Sequence, residues 1–151
     1  MHALRFAIPV VFALLAAGSA LGQTVGSITV TDAWVRALAR GNLGVTAYFQ
    51  LVNRGQSDDR LVEVYSAPFG RATFGEVHTR GIVPKIEPLE SIEVPANDVV
   101  RLRPGRIFVI LTPQAQRMRP GMSVPLTLTF ERSGQLEITA RVTNQALGNL
   151  R

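Results

Sequence analysis

The stretch "VPLTLTFERSGQLEITARVT", residues 124–143, decides the fold class. Apolar side chains fall at Val124, Leu126, Leu128 and Phe130, and again at Leu136, Ile138, Ala140 and Val142, with polar residues between most of them. A period of two marks a strand with one face in a core and the other in water. Between the runs lies "RSGQ", where Gly supplies the positive φ that a turn needs. Outward from this pair the same grammar recurs. "SITVTDAWVRA", "VTAYFQLVN", "RLVEVYSA", "ATFGEVHT", "LESIEVP", "VVRLRP" and "RIFVILT" read as further strands, separated by "NRGQSDD", "PANDV", "RPG" and "RPGM". Short apolar runs punctuated this regularly predict an all-β sandwich or barrel. No segment after residue 22 keeps a 3.6-residue apolar period through a dozen positions, and one short helical turn around "TPQAQRM" is the most helix expected. The predicted core contains Trp34, Val45, Ala47, Phe49, Val109, Leu126, Leu128, Phe130, Ile138 and Val142.

"RIFVIL", residues 106–111, breaks the grammar, because Phe108 and Ile110 occupy the face that alternation assigns to solvent. Two explanations are open: a loop covers that second face, or the face is an exposed apolar patch.

The N-terminus has a different character. "FAIPVVFALLAA" is apolar but shorter than the ~20 residues of a bilayer span, and the small residues of "GSALGQ" follow it. This predicts a secretory signal peptide over residues 1–22, cut after Gly22 with Ala20 two positions earlier. A single domain over residues 23–151 remains, exported to the periplasm, with no membrane span after cleavage. The sequence has no cysteine, so neither disulfides nor an acylated cysteine is available to it. Fifteen arginines and one lysine set against 11 acids give a formal charge of +5, or +4 without Arg5. The arginines are dispersed through Arg36, Arg54, Arg71, Arg101 and Arg119 rather than interleaved with aromatics in a block, which excludes a nucleic-acid partner as the expectation.

The inventory for chemistry is thin. Beyond the signal, His78 is the single histidine, and Met118 and Met122 are the only methionines. No HxH, CxxC or HExxH spacing is present. Asp58 and Asp59 lack the alternating oxygens of a calcium loop and read as acids capping a turn. Ser66, His78 and Glu76 have no nucleophile elbow to organise them, so an enzyme is not expected. In "ATFGEVHT" alternation puts Ala72, Phe74, Glu76 and His78 on one face and Val77 on the other.

Read together, "TDAWVRA", "AYFQLVNRGQSDDRLVEVYS", "GEVH", "IEVPANDVVRLRPG" and "PLTLTFERSGQLEI" resemble the periplasmic copper chaperone family PCu(A)C, in order and over nearly the whole chain after the signal. The resemblance implies a cupredoxin-like, Greek-key β-sandwich. It also implies a Cu(I) site made of a His, a later Met, and a His-x-Met pair some twenty-one residues beyond that Met, soft ligands suited to Cu(I). Carried onto this chain, the first ligand is His78, the Met position is Ile86, and the His-x-Met pair falls on Phe108 and Ile110. Only His78 keeps a ligand atom, and the segment from His78 to Ile86 is about three residues shorter than the family pattern.

The resemblance therefore implies a family role in copper(I) handling and delivery for cytochrome oxidase CuA assembly, with a degenerate copper site. No cofactor of high affinity is expected, copper(I) being bound only if the family activity survives. The alternative is a metal-free binding module in which Ile86, Phe108 and Ile110 form a partner patch around His78. A periplasmic or membrane-bound respiratory assembly protein is the implied partner. Met118 and Met122 are the candidates for a substitute site. If the alignment is right, Ile86, Phe108 and Ile110 should lie together with His78.

Overall fold

The computed structural model describes residues 22–36, 45–79, 81–112 and 118–143. The expected signal peptide lies outside these residues apart from Gly22, as does most of the "TPQAQRM" turn. Twelve strands are described: β1 (Gln23–Val25), β2 (Ile28–Arg36), β3 (Val45–Asn53), β4 (Asp59–Ser66), β5 (Gly70–Arg71), β6 (Thr73–His78), β7 (Lys85–Leu89), β8 (Ile92–Val94), β9 (Asp98–Arg101), β10 (Ile107–Leu111), β11 (Ser123–Phe130) and β12 (Gly134–Thr143). Among the described residues no helix is long and apolar enough to cross a membrane.

The strands form one continuous path, β5-β4-β11-β12-β2-β3-β10-β6-β7, with β1 added to β2, β8 to β4 and β9 to β3. The path curls on itself, so that β4, β11 and β12 face β2, β3 and β10 across a shared core, the sandwich that the strand pattern predicts with the Greek-key order that the family resemblance implies. β11 and β12 pair antiparallel from Ser123↔Arg141 to Phe130↔Gly134 around a turn at Gly134, whose φ of 89° suits glycine. The seam between the halves is β12 on β2, a parallel pair with Arg141↔Trp34 and Val142↔Val35.

One buried cluster fills the sandwich. Phe49, Leu51, Leu61, Val64, Val109, Leu126, Leu128, Phe130, Ile138 and Val142 all belong to it. Nine of the ten predicted core residues are buried, and Trp34 is the exception. The cause is a β-bulge. Thr31 pairs with Gln50 but Trp34 pairs with Tyr48, so β2 carries one extra residue around Asp32, whose φ is 52°. Burial switches parity there, from Ile28 and Val30 to Val35. Trp34 is turned to the outer face, where it stacks on Tyr48 with ring centroids 4.4 Å apart.

Two buried polar side chains lock one corner. Asn53 donates to the carbonyls of Ser57 and Val94 and accepts from Ser27 Oγ and the Gly55 N–H, at 2.9–3.0 Å, which uses its full hydrogen-bonding capacity. Asp59 accepts from the backbone N–H groups of Arg60, Arg132 and Ser133 and from Ser133 Oγ at 2.6 Å. Burial by itself would raise its pKa, but these donors outweigh it and hold the carboxyl below its ordinary value. The neighbouring Asp58 accepts from the Ala96 N–H at 2.8 Å. The "SDD" stretch is thus a turn tied down by its acids.

Candidate functional site

β10, β6 and β7 form the far edge of the sheet, and their register decides what the predicted site residues can do. Phe108 lies opposite Gly75 and Ile110 opposite Thr73, while Ile86 lies opposite Val77 and Pro88 opposite Gly75. Residues facing one another across an antiparallel pair share a face. Phe108, Ile110, Ile86, Val77 and Pro88 therefore lie on the outer face of the sheet.

Glycine at position 75 is what lets two of them meet. A Cβ there would sit 3.1 Å from Phe108 Cζ and 3.3 Å from Ile86 Cγ2. The benzyl ring and the Ile86 methyl group converge over the space that Gly75 leaves open. Phe108 is 7% exposed yet stands outside the main core cluster, as does buried Tyr48. Tyr48 is on the same face of β3 as Thr46, which pairs with Ile110. Phe108 is thus sequestered in a second, outer apolar layer, Ile110 is half-buried, and Ile86 remains 59% exposed. Both explanations of "RIFVIL" hold in part: its aromatic ring is covered, while Ile86 beside it over Gly75 is open.

His78 does not join them. It pairs with Lys85, one residue out of phase with Val77↔Ile86, and so lies on the opposite face. Its Nε2 stands 3.2 Å from Glu76 Oε2 and 3.5 Å from Glu87 Oε2, half-exposed between two carboxylates. Alternation along "ATFGEVHT" places His78 with Glu76 and against Val77, as the structure has it. The expected convergence on His78 is corrected, because β6 runs straight through His78 and the short connection to β7 sets a register that sends Ile86 the other way. Among the described residues no group of three or more His, Cys, Asp or Glu is arranged to hold a metal.

Met118 and Met122 both pack against the core, and Met122 Sδ accepts the Arg119 N–H at 3.2 Å. Their side chains serve packing and a turn, and β10 and β6 lie elsewhere in the sheet. Sequence reading missed β7 and Gly75, although a glycine inside a strand is a known signal of close approach.

The described residues thus form an all-β Greek-key sandwich with an apolar ladder at its edge, and comparison with known proteins supplies the family. The LpqE-like family model, named for the lipoprotein LpqE, matches residues 28–142. The chain belongs to this family, which is of the PCuAC type. Among solved structures, the copper-bound PCuAC domain from PmoF2 is 28% identical, with a TM-score of 0.69 over 82% of this chain and 98% of that one. The apo PCuAC domain from PmoF1 is 27% identical, with a TM-score of 0.68 over 82% and 99%. The solution structure of CuI-DR1885 from Deinococcus radiodurans, 24% identical with a TM-score of 0.59 over 88% and 86%, agrees in fold. No curated protein matches the chain.

Proposed function

We propose that this chain is an exported, periplasmic member of the copper-chaperone family that acts as a binding protein and not as an enzyme. It serves copper handling or oxidase CuA assembly without carrying Cu(I) at the family's ligand positions. The observation that carries this reading is the convergence of Phe108 and Ile86 on the space over Gly75, with His78 turned to the other face between Glu76 and Glu87. Hydrocarbon offers no lone pair to copper, and one imidazole is a poor Cu(I) site. The outer face then works as a metal-free contact surface for a respiratory assembly protein, periplasmic or membrane-bound, with Ile86 and Ile110 as its accessible apolar residues.

The test is a Cu(I) titration of the protein against a chelator of known affinity. Competition weaker than micromolar supports the proposal. Stoichiometric binding at submicromolar Kd, which corresponds to more than ~8 kcal/mol, overturns it.

A further inference from the structure

The β6–β7 connection is unusual in what it exposes. Ile82 is 102% exposed and Val83 76%, side by side at the tip of the hairpin, with Ile86 behind them on β7. Set back from the tip is a group of cations. Lys85 opens β7. Val77, one residue before the end of β6, donates its N–H to the Arg106 carbonyl at 2.8 Å. Arg106 closes a tight turn with Arg103, its N–H donating to the Arg103 carbonyl at 3.1 Å, and Gly105 at φ 78° after Pro104 makes this a type II turn. Arg101 ends β9 just before it. Lys85, Arg101, Arg103 and Arg106 are all exposed, and none takes part in an ion pair among the described residues. Glu76 and Glu87, the acids of this ladder, are turned to His78.

From this juxtaposition we propose that the β6–β7 hairpin is a membrane-docking element, which inserts Ile82 and Val83 into the interface of an anionic bilayer while Lys85, Arg101, Arg103 and Arg106 hold the headgroups. The charges match that occupant, since basic residues near a membrane are drawn to anionic headgroups. The shape matches it as well. Protein interfaces are broad and packed around a buried centre, whereas this feature is a narrow convex tip with its cations recessed. Addition of a partner strand to the β7 edge is obstructed. Val77 turns its backbone toward β10, which fixes Pro88, opposite Gly75, with its nitrogen toward the open edge and no N–H to offer there. The proposal stands independently of whether the chain binds copper.

The experiment is co-sedimentation of the protein with vesicles of phosphatidylcholine alone and with phosphatidylglycerol added, at low and high salt. The native protein is expected to bind only the anionic vesicles and to release in high salt. Ile82→Ser with Val83→Ser is expected to weaken binding about tenfold or more, since two apolar side chains together outweigh the free energy of one decade. Arg103→Glu with Arg106→Glu is expected to abolish it. A Val83→Trp variant supplies a positive readout: its added emission should shift to the blue on anionic vesicles. Failure of the native protein to bind anionic vesicles overturns the proposal, as does equal binding by the double-serine variant. Capture of a protein partner that needs Ile82 and Val83 without any vesicle binding overturns it too.

Discussion

Two corners of this molecule carry residues that chemistry could use, and they are built on opposite terms. At the Asp59 corner the two buried side chains are fully partnered: Asn53 makes four hydrogen bonds and Asp59 accepts four. At the β6–β7–β10 edge the contacts on the outer face are apolar, one-sided and open to solvent at Ile86. Removing a partner from the first strands a buried polar group, whereas exchanging an exposed side chain of the second, such as Ile86, costs little. Polar residues here hold the scaffold, and the apolar edge is where exposed side chains can be exchanged with the least loss to the fold.

The core sets the upper bound on any effect at either corner. Phe130→Ala, in the middle of the buried cluster, should cost about 3–5 kcal/mol in denaturant unfolding, a large share of a marginal domain's stability. A loss under ~1 kcal/mol would mean that β11 is not packed as described.

Asp59→Asn comes next, at about 1–3 kcal/mol. Oδ1 keeps its bonds from Arg60 and Arg132, but the new NH2 group confronts the two donors of Ser133. The effect has a pH signature. The carboxyl is more acidic in the folded protein than in the unfolded chain, so its contribution is full above about pH 5 and fades as pH falls through the folded pKa. Unfolding curves of native and variant should therefore converge on acidification below about pH 4. A constant gap down to pH 2 would show that the variant loses packing rather than charge-assisted hydrogen bonds.

The third test crosses to the apolar edge. Ile86→Met, Phe108→His and Ile110→Met together should cost about 1–3 kcal/mol, nearly all of it from placing a polar imidazole where the Phe108 ring is buried, since the two Met exchanges nearly conserve volume and Ile86 is exposed. They should create Cu(I) binding, since Ile86 and Phe108 already converge over Gly75 and Ile110 shares their face. Adding His78→Ala should leave that gain unchanged, His78 being on the other face. A triple variant that competes no better than the native protein would break the assignment of these positions. Loss of its copper on removing His78 would mean that the imidazole can swing around the strand end.

His78→Ala alone is the smallest effect, within ~0.5 kcal/mol, as befits a half-exposed imidazole beside two carboxylates. A larger loss, read by thermal unfolding near neutral pH, would place His78 among the residues that hold the fold.

How much of this the sequence discloses follows from how local each cause is. β3 can be read to the residue from "VTAYFQLVN", and β11 and β12 nearly so, because alternation is a local signal written into each strand. β7 could not be read. "KIEPL" has every residue but Leu89 exposed and a proline within, so no buried face marks its period. Trp34 was misplaced by parity, since one extra residue at Asp32 reverses every later side chain of β2, and "TVTDAWV" does not declare where the count slips. The candidate site shows both cases at once. Alternation along β6 set His78 apart from Val77, while the expectation of convergence rested on spacing borrowed from a longer loop and overlooked that parity.

The parallel seam of β2 on β12 has a consequence for biogenesis. Trp34 meets Arg141, a loop of about a hundred residues that must close before the sheet is continuous. β2 sits between β3 and β12, and β1 covers only Ile28–Val30, so the stretch Trp34–Arg36 keeps one flank bare until the last strand follows. The sheet of such a polypeptide cannot be completed until β12 is made. Delay of this kind suits the export proposed above, because a sheet still open can be threaded through a narrow channel and closed on the far side.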